Sequence, residues 1–233
     1  MAKFDYIIMN PPYDGNLHLD ILNYIKDYGD KIVNISPVHW IQNKLNKRTL
    51  NKYICIANKI EDLEVIPYDK SNVLFDIDTH DLGISTIGKG GYDYLKLSEL
   101  DSISQKIKNK VKISFEDIST IEGTKTVPSG VVGMISSHYG NFNLWVNDSY
   151  ELFSSIRFTC GNKFISFKTE EERRNCFDYL QTKLMRYYAK QIRQSRRVAW
   201  KYVPVLDWSK HWSDEDLYTY FGITEDEINT YGI

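Results

Sequence analysis

An apolar run stopped by two prolines constrains the fold more than any other feature of the sequence. Phe4-Asp5-Tyr6-Ile7-Ile8-Met9 predicts a short buried strand, and Asn10-Pro11-Pro12 ends it, because two prolines cannot extend a strand ladder. From Leu17 to Tyr28, Leu17, Ile21, Leu22 and Ile25 recur at helical spacing, and Gly29 reads as the C-cap. Lys31 to Ser36 predicts a second apolar strand running into Pro37-Val38-His39-Trp40. Strand, helix and strand joined by short connections make a βαβ unit with parallel strands in a buried sheet.

Further along, Leu63 to Tyr68, Val73 to Ile77 and Gly83 to Ile87 read as hairpin strands completing that sheet. The last ends in Gly88-Lys89-Gly90-Gly91, which follows a strand without opening a helix and so reads as a turn. Residues 96–112 carry a charged helical pattern, residues 113–167 read mostly as strands and turns, and Thr169 to Gln194 reads as one helix with a capping-box-like start. The expected division is an α/β region over 1–95 and an α+β region over 96–233.

Composition narrows the class. With 42% hydrophobic and 26% charged residues in 233, disordered, fibrous and disulfide-scaffold readings are excluded. Cys55, Cys160 and Cys176 are odd in number and widely spaced, which fits buried, inert thiols in a reducing compartment. No signal-like or membrane-spanning apolar stretch is visible, so the expected location is the cytoplasm, with no membrane partner. A formal net charge of -2 gives no overall attraction to nucleic acid, leaving any such binding to uneven charge distribution.

Asn10-Pro11-Pro12-Tyr13 carries the chemistry. It stands at the carboxyl end of a predicted parallel strand, where open α/β sheets build their sites. The prolines fix the backbone, so the Pro11 carbonyl and the Asn10 side-chain carbonyl can converge on one spot. Two acceptors on an exocyclic amine such as adenine N6 draw the nitrogen toward tetrahedral geometry and free its lone pair for attack on a methyl donor. Tyr13 is placed to stack on the base, which must be flipped out of a duplex to arrive there. The plainer alternative is a turn capped by Asn10 with Tyr13 in the core.

At these residues the chain resembles the amino-group DNA methyltransferases, specifically the N6-adenine enzymes of restriction-modification systems that use S-adenosylmethionine. FDYIIMNPPYDGNLHLDIL looks like that family's catalytic strand, loop and helix, and KIVNISPVHWIQ is similar to its next strand. VLFDIDTHDLGISTIGKGG looks like the following hairpin, in which an aromatic residue contacts the flipped adenine; Phe75 matches best and Tyr68 second. VPVLDWSKHWSDEDLYTYFGITEDEI is close to the tail of larger restriction enzymes with fused or associated methylases. The resemblance implies a partial Rossmann-like methyltransferase sheet, its catalytic half, followed by a target-recognition region. It also implies a cofactor half upstream of the loop, with a Gly-rich turn for the methionine and an acidic residue for the ribose. Here the strand begins three residues after Met1. The expectation is therefore a split enzyme in which a second polypeptide holds S-adenosylmethionine, the alternative being an inactive remnant that binds DNA or protein.

A second candidate region is basic. Lys190, Arg193, Arg196, Arg197 and Lys201 fall within twelve residues that contain no acid, and Gln194 lies among them, predicting a basic helix end that meets phosphates and base edges of double-stranded DNA. A solvated helix terminus is the competing reading. Downstream the sign reverses, with Ser213-Asp214-Glu215-Asp216 and Thr224-Glu225-Asp226-Glu227 reading as capped helix starts in an acidic tail packed through Trp208, Trp212, Leu217, Tyr218 and Phe221. The histidines have no ligand spacing, and no metal site is expected. Guanine N2 of RNA and glutamine side chains of protein remain other substrates for a loop of this kind.

Overall fold

The computed structural model describes residues 3–75, 81–119, 130–138, 141–145, 163–194 and 197–233, and the chain divides into two compact units, Met1–Glu99 and Leu100–Ile233. The expected boundary at 95/96 falls inside a short helix, Leu95–Ser98, of the first unit.

In the first unit, β1 (Phe4–Met9) leads through α1 (Leu17–Ile25) to β2 (Gly29–Pro37). Then come α2 (His39–Gln42), α3 (Arg48–Lys52), α4 (Ile54–Ala57), β3 (Ile60–Ile66), α5 (Tyr68–Phe75), β4 (Leu82–Ile87) and α6 (Leu95–Ser98). β1 and β2 are parallel, with Ile7 opposite Ile32 and Met9 opposite Asn34. β4 runs antiparallel to both β2 and β3, giving the order β1-β2-β4-β3. Hence β1, β2 and β3 point one way and β4 returns between two of them. The predicted βαβ unit is present, in a mixed sheet.

Three local expectations change. Gly29 is not a helix cap: α1 ends at Ile25, whose carbonyl accepts the Tyr28 N–H, and Gly29 opens β2 opposite Phe4, where a Cβ would press on Ile7. The strand expected over Val73–Ile77 is replaced by helix at its described residues. Residues 73–75 close α5, while 76 and 77 lie outside the described residues. A helix forms here because the Pro67 carbonyl accepts the N–H groups of Lys70 and Ser71, and the Asp81 carboxylate accepts that of Tyr68 at 3.0 Å.

Finally, β1 is not buried. One face of the sheet is covered by α1 and the α2–α4 segment through Leu19, Leu22, Trp40, Tyr53 and Ile56, which pack on Ile32, Leu63 and Ile87. Side chains alternate along a strand, so Phe4, Tyr6 and Ile8 project from the other face, where they are 62%, 66% and 84% exposed. Among the described residues β1 pairs only with β2, leaving it at the sheet edge.

The second unit contains α7 (Ser102–Asn109), α8 (Phe115–Ile118) and an antiparallel sheet of β5 (Val131–His138), β6 (Asn141–Trp145) and β7 (Lys163–Phe167), ordered β6-β5-β7. Two helices, α9 (Glu170–Gln181) and α10 (Lys183–Gln191), stand where one was expected. Thr182 breaks the pattern: its side chain accepts the Met185 N–H, and Asp214 accepts the N–H groups of Lys183 and Leu184 at 3.1 and 2.9 Å. The expected basic helix end is also absent. After α10 the chain forms a two-stranded ribbon, β8 (Arg193–Gln194) against β9 (Arg197–Val198), then a 3-10 turn, Trp200–Tyr202.

In the tail, α11 (Asp214–Phe221) and α12 (Glu225–Tyr231) both start with capping boxes, at Ser213 and Thr224. Trp208, Trp212, Leu217 and Phe221 are buried, as expected, and Tyr218 is half-buried. Cys176 is buried, and burial pushes its thiol pKa well up; Cys55 is exposed, contrary to expectation; Cys160 lies outside the described residues. No described helix is long and apolar enough to cross a membrane.

Candidate active site and nucleic-acid interface

The strand directions bring the ends of several segments together. Asn10–Tyr13 follows β1, Val38–Gln42 follows β2, α5 follows β3 and Asp81 precedes β4, all at one end of the sheet. Asp81 ties this end together: its carbonyl accepts the Val38 N–H while its side chain holds the start of α5. Such an end, outside the carboxyl termini of parallel strands, is where open α/β sheets bind ligands.

Within the loop, Asn10 and Pro12 are exposed and Pro11 is buried. The Tyr13 hydroxyl donates to Asn10 Oδ1 at 2.5 Å and approaches the Ile35 carbonyl of β2 at 3.3 Å. Its ring stands edge-on to His18 of α1, with centroids 6.3 Å apart. Tyr13 therefore ties the loop to β2 and α1, and partial burial raises its pKa. The expected stacking ring is turned to the Asn10 carboxamide. A carbonyl oxygen has two acceptor directions, so Asn10 Oδ1 can still receive an amine N–H beside the tyrosine.

The two aromatic candidates are placed differently. Phe75 is exposed at the end of α5. Tyr68 opens that helix, and its hydroxyl accepts from Asn72 at 3.3 Å. Three strand spacings separate β3 from β1, so Tyr68 begins roughly 14 Å across the sheet from the Asn10 loop. Phe75, toward which α5 runs, is the better placed of the two by exposure.

The glycine-rich turn after β4 offers no cradle for S-adenosylmethionine. The Gly88–Gly91 turn is filled by its own chain: Gly88 donates to the Lys59 carbonyl, Lys89 N–H donates to Glu61 at 2.7 Å, and Gly90, with φ of 85°, lies against the Asn58 carbonyl where a Cβ would collide. It is a structural turn.

In the second unit, Lys190 is exposed in the last turn of α10, and Arg193 is half-buried on β8. Gln194 and Arg197 pair across the ribbon, and Arg196 lies outside the described residues. Lys201 is exposed beside the buried Trp200, with its ammonium 5.0 Å from the centre of the Tyr202 ring. Sequence reasoning missed Lys108, whose ammonium lies 5.4 Å from the same ring. Nothing in the charged run 96–112 marks which of its lysines meets a ring. Among the described residues no three His, Cys, Asp or Glu side chains gather as a metal site.

No protein-family model matches the chain, and neither a curated protein nor a solved structure matches it.

Proposed function

We propose that this chain is the catalytic-loop and target-recognition subunit of an S-adenosylmethionine-dependent DNA adenine N6 methyltransferase of the restriction-modification kind. It would act on double-stranded DNA in the cytoplasm, with a second polypeptide supplying the cofactor half. The observation that carries this reading is the exposed Asn10 at the carboxyl end of β1, in a parallel pair, next to a buried proline that fixes the following backbone.

In this reading Asn10 Oδ1 and the Pro11 carbonyl accept the two N–H bonds of a flipped adenine and leave the nitrogen lone pair free for an electrophile. Tyr13 positions Asn10, and Phe75 covers the base. S-adenosylmethionine supplies that electrophile when bound, and its site belongs to the partner. The open edge of β1 and its apolar face fit a further sheet half in that place.

One observation favours a second reading, a catalytically silent DNA- or protein-binding module: the Tyr13 hydroxyl already occupies Asn10 Oδ1. Replacing Asn10 by Ala in the native host separates the two, because every partner is then present. The methyltransferase reading expects N6-methyladenine to vanish from one sequence context of the genomic DNA. Methylation unchanged in every context, with DNA binding retained, leaves the binding module.

A further inference from the structure

We propose that Lys108, Tyr202 and Lys201 form a phosphate-contact site for the backbone of duplex DNA, distinct from the ribbon. The inference rests on the DNA-directed reading above and names where the second unit would grip the duplex.

Helix α7 carries Lys106 and Lys108, and Lys110 is its C-cap. Residues 106 and 110 share a face, and 108, two residues from each, lies on the opposite side at 100° per residue. The first face is engaged from within, one lysine by a carboxylate and the other by a carbonyl. Lys106 pairs with Glu227 at 2.6 Å and donates to the Gly222 carbonyl, while Lys110 donates to the Tyr220 carbonyl. On the other side, Lys108 and Lys201 have no carboxylate within ion-pair distance among the described residues, and both ammonium groups sit over the Tyr202 ring, at 5.4 and 5.0 Å.

Two like charges on one ring repel, and the ring's negative face offsets part of that cost. The backbone that carries the ring is held, since the Tyr188 hydroxyl donates to the Tyr202 carbonyl at 2.9 Å and Trp200, in the same 3-10 turn, is buried. A ring with two ammonium groups over it, neither paired with a described carboxylate, is complementary to neighbouring phosphates on a strand, and the ribbon closely precedes this 3-10 turn in sequence.

The test is anisotropy of a labelled DNA duplex with the purified full chain, over a salt series. Each phosphate contact contributes about 0.9 to the slope of log affinity against log salt, so Lys108→Gln with Lys201→Gln should lower the slope by roughly 1.8. Lys210→Gln, which removes a lysine beside Asp207 and Asp216, should leave it unchanged. Equal slopes for the double variant and the wild type overturn the site, as does an equal loss from Lys210→Gln or a preference for duplex RNA. If the wild type binds no duplex, both this site and the DNA target fall. If the wild type binds and the double variant keeps its slope, the site alone falls and the methylation map stands apart.

Discussion

Asn10 and Tyr13 divide the work of the loop, and their substitutions should separate accordingly. Tyr13 is half-buried and bridges Asn10 Oδ1 and the Ile35 carbonyl. Tyr13→Phe removes both hydrogen bonds and should cost about 1 kcal/mol of stability, read by urea unfolding. Asn10 is exposed, so Asn10→Ala should cost no more than that in the same measurement. A larger loss for Asn10 than for Tyr13 would show that the loop is held by its asparagine. Gly83 makes the opposite case, a residue without chemistry but with a tight fit: a Cβ there would push into Val38 and Leu63, so Gly83→Ala should destabilise by about 1–3 kcal/mol. The strand-and-proline pattern made the position of Asn10 legible in the sequence. The tie from Tyr13 to β2 was not, because Ile35 lies 22 residues away.

At the scale of elements, local pattern carried β1, α1, β2, β4 and both capped helices of the tail, because strand stops and capping boxes act within a few residues. It failed where a distant group decides. The apolar rhythm of 169–194 runs through Thr182 without proline or glycine, yet the helix breaks there because Asp214, 31 residues from Lys183, caps the second half. A carboxylate at a helix N-terminus satisfies orphan N–H groups and complements the dipole. Asp214→Ala should therefore cost about 0.5–2 kcal/mol, and Asp214→Asn less, since an amide still accepts. Equal stability of wild type and Asp214→Ala in urea would remove this role. The same reasoning explains α5: the β-branched Val73 suggested a strand, but Pro67 and Asp81 close a helical turn ahead of it. The basic segment after α10 behaves likewise, its composition identifying the charge but not the ribbon that carries it.

For the whole molecule, two surfaces differ in kind. The tail of the second unit is held by Glu227, which accepts from Lys106, the Thr224 N–H and Ser102, bonds that bring its pKa from 4.5 down to about 2. A folded pKa below the unfolded value means the stabilisation is complete above about pH 4.5 and is lost as pH falls toward 2. Tryptophan fluorescence, with Trp208 and Trp212 buried in this region, should shift over that window, and Glu227→Gln should flatten the change. The first unit presents the opposite kind of surface. Phe4 donates its N–H to the Tyr28 carbonyl, so by alternation Asp5, Ile7 and Met9 turn their backbone groups to the open edge. Beside that edge, Tyr6 and Ile8 lie on the same face as Val33 and Ile35 of β2 and Ile84 of β4. An apolar edge of this sort invites another strand, and natural proteins blunt such edges with lysine when nothing covers them. Ile8→Lys tests what the edge is for. Ile8 is 84% exposed, so the substitution should change the stability of the isolated chain by less than about 0.5 kcal/mol. Under the proposed split-methyltransferase reading it should also, in the native host, abolish methylation as completely as Asn10→Ala, because a cofactor half seated on this edge would meet the lysine. Methylation retained in the Ile8→Lys strain but lost in the Asn10→Ala strain would keep the catalytic loop and reject this edge as the place where the partner docks.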